Sequence, residues 1–346
     1  MKIAVAMSGG VDSSVTAALL KKEGHEVIGL TMLVTSSEEA ANASREVAQT
    51  LGISHHTFDF RDVFTKQIIS DFCRQYSLGK TPNPCVHCNR LIKFGVLLEK
   101  AKELGAETIA TGHYARIEKR TSDDRYLLKK GIDHKRDQSY FLYGLAQAQL
   151  ASVIFPLGNL TKDRVRRMAV EMGLPVADRK ESREICFILD NDYPHFLREH
   201  LSSENELGHI VDKQGNVLGK HNGIIDYTIG QRKGLGISSR EPLYVVDMDS
   251  RSNTVVVGSK QVVYACEFFT TGLNWIAFEK FTAPMTLKVR IRYLHPETGA
   301  AITPIDDDKV NVKFTEPQMA ITPGQAAVFY DGDVVVGGGT IERVLH

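Results

Sequence analysis

Apolar positions follow two alternating rhythms along the first third of the chain. Residues 1–7 form a short run rich in β-branched and small side chains, MKIAVAM. A Ser-Gly-Gly turn follows, and residues 11–23 then repeat apolar positions at helical spacing as far as Gly24. This predicts a strand, a turn and a helix stopped by glycine, which closes a helix at little steric cost. The pattern continues with an expected strand at 27–34, a helix at 38–51 closed by Gly52 and a strand at 54–60. Helices at 62–76 and 84–104 and a strand at 108–115 complete the series. Strands separated by helices at this spacing imply an α/β fold: a doubly wound parallel sheet with both faces covered.

Helical spacing persists at 160–172 and 193–201, and then the texture changes. From Gly208 onward, short β-like runs are broken by KQGN, KHNG, GLGI, DSRSN and DGD. Boundaries near residues 202 and 262 divide the chain into an α/β unit (1–202), a small central β-rich unit (203–262) and a β-rich C-terminal unit (263–346). With 346 residues, 42% of them hydrophobic, the chain can bury sizeable cores. No segment reaches the roughly 18 apolar residues of a membrane span, and the N-terminus lacks the pattern of a signal peptide. A cytoplasmic monomer is expected. In that reducing setting Cys73, Cys85, Cys88, Cys186 and Cys266 are not expected to form structural disulfides, so a close pair points to catalysis, metal or redox work. Lysine plus arginine equals aspartate plus glutamate at 42 each, so overall charge gives no sign of a nucleic-acid partner.

Two stretches carry candidate chemistry. In SGGVDSS, Ser8 to Ser14, glycines permit a tight turn, and the N–H groups of the following helix start, with three serine hydroxyls, suit an anion. The stretch is neither GxxxxGK[ST] nor GxGxxG, which disfavours a P-loop and a hydride-transfer cofactor. In TPNPCVHCNR, Asn83 is a good N-cap and Pro84 suits the first helical position, so Cys88 falls in the first two turns of a helix. There the helix dipole, Arg90 and Lys93 are expected to favour a thiolate. Cys73 and Cys266 read as small buried hydrophobes, and His113 alone would read as a hydrogen-bonded core histidine. Lys162, Arg164, Arg166 and Arg167 form a basic cluster on one expected helix, a pattern usual for a solvated face. Arg232 and Lys233 lie in the glycine-rich loop 230–237, suited to phosphate contacts.

SGGVDSS resembles the pyrophosphate loop of the ATP pyrophosphatases. TPNPCVHCNRLIKF, ATGHYAR, KRDQSYFLY, ESREICFI, TIGQRKGLGI, VRIRYLH, TPGQAAVFYDGD and VVGGGTIE resemble, in order along nearly the whole chain, the tRNA-specific 2-thiouridylases. The resemblance implies an N-terminal ATP pyrophosphatase domain, a small central β-containing domain that binds tRNA and a C-terminal β-barrel. It further implies replacement of the carbon-two oxygen of a wobble uridine by sulfur. ATP, with magnesium, would adenylate that oxygen, and a cysteine persulfide charged by a donor protein would supply the sulfur.

Carried over by position, Ala6, Met7, Ser8, Gly9, Gly10, Val11, Asp12, Ser13, Met32 and Gly112 would hold ATP. Cys88 would be the nucleophile and Cys186 the persulfide carrier. Asn83, Pro84, Cys85, His113, Arg136, Asp137, Gln138, Arg292, Tyr293 and Gln325 would meet tRNA or its flipped base. Two features depart from the family pattern. Cys85 stands where many members have aspartate, so Cys85, Cys88 and Cys186 could instead hold an iron-sulfur cluster. Residues 34–47 are also shorter than the acidic insertions of many members, which bears on sulfur-donor docking.

Two other readings compete. An amide-forming ligase of the same superfamily explains SGGVDSS but neither ICFI nor the β-rich C-terminal third. A zinc-stabilised RNA-binding module would use CVHC, although no second close ligand pair occurs in the sequence.

Overall fold

The computed structural model describes residues 1–179, 185–188, 192–201 and 207–345. The first expected domain boundary, at residue 202, lies outside them, as does the ESRE portion of ESREICFI. Strands β1 (Lys2–Ala6), β2 (Glu26–Leu33), β3 (Ser54–Asp59) and β4 (Thr108–Ala110) are parallel, and with β7 (Val153–Ile154) they form one sheet in the order β3-β2-β1-β4-β7. The order reverses between β1 and β4, and open α/β sheets bind ligands at the carboxyl ends of the strands at such a switch point. Helices α1 (Val11–Lys22) and α2 (Glu39–Leu51) follow β1 and β2. The buried side chains of β1 and α1, among them Ile3, Val5, Val15 and Leu20, form a core with Val165 and Met168 from helix Lys162–Glu171. A second core gathers Phe64, Phe72, Ile92, Phe94 and Leu97 on the other face.

The expected strand at 108–115 is two strands. The sheet strand ends at Ala110, and after the turn 111–114 the chain enters β5 (Ala115–Lys119), which forms a hairpin with β6 (Tyr126–Lys130). Gly112 explains the break. A Cβ there would lie 2.8 Å from the Asp12 backbone, so the chain presses against α1 and must turn away. The hairpin leaves the parallel sheet altogether and joins the C-terminal sheet through β6 and β17.

The central region holds β8 (Gly208–Val211), β9 (Val217–His221), β10 (Tyr244–Asp249) and β11 (Thr254–Gly258) in one four-stranded sheet. The C-terminal strands are β12 (Tyr264–Trp275), β13 (Met285–Arg290), β14 (Thr298–Pro304), β15 (Lys309–Met319), β16 (Ala326–Asp331) and β17 (Val334–Leu345). They run β12-β15-β14-β13-β16-β17, and β12 pairs with β17, so the six strands close into a barrel. Its interior is filled by Phe268, Val289, Ile302, Val312 and Phe329. Among the described residues no helix is long and apolar enough to cross a membrane.

A buried polar network ties barrel and hairpin together. Asp137 is fully buried and accepts hydrogen bonds from the Gly131 and Ser139 backbone N–H groups, from Ser139 Oγ and from Arg290 at 2.8 Å. Arg290 and Lys130 also pair with Glu297 at 2.7 Å and lie over the Tyr330 ring. Burial of this many charges is tolerated because each has an opposite partner.

Candidate active site

The Ser-Gly-Gly loop sits at the carboxyl end of β1, at the switch point. Gly9 has φ +69°, and a Cβ on it would meet the Ala40 carbonyl and the Ala43 side chain at 2.9 Å, so the approach of α2 requires glycine. Ser13 Oγ accepts from the Ser8 N–H at 3.2 Å and donates to the Gly10 carbonyl at 3.1 Å, and Ser14 Oγ donates to the same carbonyl at 2.9 Å. These bonds set the loop's shape from within. Gly10 caps α1 without a side-chain bond, which leaves the helix start open to an anion. Ala6 and Met32 are half-buried on β1 and β2, and Met7 and Val11 are buried beside the loop.

Three further residues complete the loop, one of them, Lys162, expected elsewhere and two, Tyr114 and Arg179, not singled out in the sequence. Lys162, expected on a solvated face, is buried, and its Nζ donates to both Asp12 carboxylate oxygens at 2.8 Å. Tyr114 donates to Asp12 Oδ1 at 2.8 Å as well. Arg179 donates to the Gly9 carbonyl at 3.0 Å and pairs with Glu39. Helical periodicity could have flagged Lys162, because it occupies the first turn of its helix three positions before buried Val165.

The helix carrying the cysteines starts at Pro84, as the Asn-Pro pair predicts, but it is not uniformly α-helical. After Pro84–His87 it widens into a π-helix over Cys88–Val96 and returns to α-helix at Leu97–Glu103. Such widened turns recur at functional sites. Asn83 occupies the cap position without a cap hydrogen bond, and its side chain is bonded to Tyr140 instead. Cys85 and Cys88 are half-buried, and Cys186 keeps exposed surface at the rim. Each of the two helix sulfurs feels the charge of Cys186, so the fold brings Cys186 from far along the chain to the pair.

The expected thiolate is not favoured in the free protein. Burial pushes the Cys88 thiol up to about 12 and the Cys85 thiol up to about 11, against an opposing pull from Lys93. Burial also raises Cys186, although its rim position leaves surface open, because dense protein surrounds the sulfur on its other sides. Arg90 is exposed, and its field falls on His87 and Tyr143 rather than on Cys88. Among the described residues no three His, Cys, Asp or Glu side chains are gathered in a metal-holding arrangement.

His113 joins the two halves of the site. It follows Gly112, which packs on the Asp12 and Ser13 backbone. Its Nδ1 lies 2.6 Å from Thr111 Oγ1, and its ring lies against Phe94 and Phe155. Burial first, then the Lys93 charge, holds the imidazole well below its ordinary pKa and therefore neutral.

On the other side of the thiols, Gln325 Nε2 donates to the Thr81 carbonyl at 2.9 Å, and Tyr140 donates to the Ala326 carbonyl. Arg292 is half-buried, donates to the Met319 carbonyl at 3.1 Å and lies near Tyr140, while the Tyr293 ring packs at a tilt of 41° against Phe141, with centroids 4.6 Å apart. Asn83, Pro84, Arg292, Tyr293 and Gln325 thus share one neighbourhood. Gln138 accepts from the Tyr114 N–H at 3.0 Å, and half-buried Arg136 closes a turn on Asp133. Asp137, expected to meet tRNA, faces the interior, because the Arg290 ion pair and the backbone N–H groups around it hold the carboxylate inside. Arg232 and Arg240 line an open groove of the central region, built entirely from residues 232–243.

Residues 1–190 match the family model described as tRNA methyl transferase HUP domain. Residues 194–259 match the tRNA methyl transferase PRC-barrel domain, and 266–341 the aminomethyltransferase beta-barrel domain. The switch-point loop, the small central sheet and the closed barrel are therefore the three parts of one multidomain class. The tRNA-specific 2-thiouridylase MnmA 1 of Caldanaerobacter subterraneus subsp. tengcongensis is 53% identical, covering 100% of this chain and 99% of its own. MnmA 2 of Thermoanaerobacter sp. is 52% identical over 99% and 98%, and MnmA of Acetivibrio thermocellus is 48% identical over 99% of each. The chain belongs to the tRNA-specific 2-thiouridylase family.

Proposed function

We propose that this chain is a tRNA-uridine 2-sulfurtransferase that uses ATP to exchange the carbon-two oxygen of the wobble uridine for sulfur. The observation that carries the reading is the adjacency of the two chemistries: Gly112 packs on the Asp12 and Ser13 backbone of the Ser-Gly-Gly loop, and the next residue, His113, lies in the field of Lys93, the cation that also acts on all three thiols.

In this reading Ala6 to Ser13, Met32 and Gly112 hold ATP, and magnesium arriving with the nucleotide offsets phosphate charge. The uracil oxygen attacks the α-phosphorus and releases pyrophosphate, which leaves the carbon-two oxygen as part of an AMP leaving group. A persulfide on Cys186, charged by a donor protein, attacks carbon two through its terminal sulfur, and AMP departs. The Cys88 thiolate then attacks Cys186 Sγ. The bond to the transferred sulfur breaks, its electron pair stays with that sulfur as the thiocarbonyl forms, and a Cys88–Cys186 disulfide remains for an external thiol to reduce. Asn83, Pro84, Arg292, Tyr293 and Gln325 receive the flipped base, since a base deep in a pocket must leave its stack. Arg232 and Lys233, both exposed, suit backbone phosphates of the same tRNA.

The test is thiolation of an unmodified tRNA transcript with ATP, magnesium and a persulfide donor. We expect Cys88→Ser and Cys186→Ser to abolish product and Cys85→Asp to retain it. Full activity of Cys88→Ser would overturn the assignment. Iron in anaerobically purified protein, required for turnover, would replace the persulfide route with a cluster.

A further inference from the structure

The charged group common to all three thiols has no role in the chemistry above. Lys93 acts on Cys85, on Cys88 and on Cys186, and it also faces His113 from across the site. Among the described residues no carboxylate acts on these sulfurs. The titratable groups facing Cys88 are Cys85 and Lys93 on its own helix and Cys186 on the segment 185–188. Asp71 is engaged 3.9 Å from His87.

Helix geometry explains how Lys93 comes to be there. In a regular α-helix, 3.6 residues per turn would set Lys93 about 140° around the axis from Cys88. The segment Cys88–Val96 is instead π-helical, with i→i+5 bonding that ends where the Leu97 N–H donates to the Ile92 carbonyl. The wider turn returns the fifth residue to nearly the same face. Cys85, three residues before Cys88, shares that face too. Ordinary helical spacing therefore aligns the two sulfurs, the local irregularity adds the ammonium to their face, and the fold delivers the third sulfur to them.

We propose that Lys93 is the positioning residue of the sulfur-transfer step, its ammonium placed by the π-helical turn to stabilise the anionic sulfur of Cys88 as it forms. The inference rests on the thiolation reading for its purpose but not for its test. In a pocket that disfavours charge, a fixed cation lowers the cost of the thiolate only at the sulfurs it faces, and Cys73, in the core, is outside its reach. Lysine suits the task because its ammonium is a compact point charge; Arg at this position would keep the charge but occupy more space.

The experiment is the pH profile of iodoacetamide alkylation at each cysteine of the full chain, resolved by peptide mass spectrometry. Wild type, Lys93→Met and Lys93→Arg are compared, with thiolation measured in parallel. We expect Lys93→Met to alkylate Cys88 about tenfold more slowly at a fixed pH below the thiol pKa, equivalent to one pKa unit, with its profile displaced to higher pH. Lys93→Arg should keep the wild-type profile and part of the thiolation. Identical Cys88 profiles in wild type and Lys93→Met would overturn the proposal, as would equal slowing in both variants. Melting curves identify a misfolded Lys93→Met protein, and in that case Lys93→Gln carries the same comparison. Wild-type protein that does not thiolate tRNA would sink the thiolation reading while leaving the alkylation comparison decisive for Lys93.

Discussion

The Ser-Gly-Gly loop and the thiol cluster meet at His113, yet they are built in opposite ways. The loop is made of backbone and hydroxyls within seven consecutive residues, Ser8 to Ser14, and its bonds are mostly to itself. The thiol cluster is made of side chains from a helix, from the distant segment 185–188 and from a barrel loop that reaches back through Gln325 to Thr81. Binding phosphate requires N–H groups that any chain owns, so a short local turn suffices. Holding a sulfur ready to react requires burial and a matched charge, which no local stretch can supply alone.

Three perturbations test how separate the two constructions are. Asp137→Ala removes one partner of the buried pair that anchors the hairpin to the barrel, and should cost roughly 3–5 kcal/mol of stability, read by denaturant unfolding. Loss of thiolation without loss of stability would assign Asp137 to the substrate after all. Gly112→Ala pushes a methyl group against the Asp12 and Ser13 backbone, which cannot yield as a flexible side chain would. Pyrophosphate release should fall on the order of 100-fold, as for other ångström-scale misplacements, while the alkylation rate of Cys88 stays unchanged. If both fall together, the two regions are one rigid unit.

The smallest effect is on acid stability. His113 is held neutral with its pKa depressed by burial and Lys93. The unfolded chain therefore binds its proton first as pH falls. The contribution of the buried neutral ring is complete above the unfolded value near 6.5 and is lost below it, by up to about 1.4 kcal/mol per pH unit. His113→Gln should flatten that part of the stability profile.

Much of the nucleotide half could be read directly from the chain, because glycine turns and apolar rhythm are local signals. The β1–α1 unit, the loop and the stop at Gly24 all follow from neighbouring residues. The misreadings share one cause, which is distance. The run 108–115 has continuous strand character, but the close approach of α1 at Gly112 splits it, and β5 then pairs in another sheet. Two-residue β7 is too short to carry a period. Lys162 looks solvated until the fold sets Asp12 in front of it. For Cys88 the helix start was legible, but the surrounding protein that reverses its expected acidity was not. The π-helical turn spans only nine residues between α-helical segments, too short a run for its different pitch to be read from the apolar pattern.

The pairing of β6 with β17 has a consequence for how the chain is made. Leu128 and Lys129 leave the ribosome more than two hundred residues before their partners Val335 and Val334. Until then the hairpin offers an open strand edge, a known invitation to mispairing between chains. That edge is therefore without its β17 partner throughout most of the chain's synthesis. A C-terminal truncation that removes β17 would leave the nucleotide domain present but with a sticky border, and it should appear as inclusion bodies before it appears as lost catalysis.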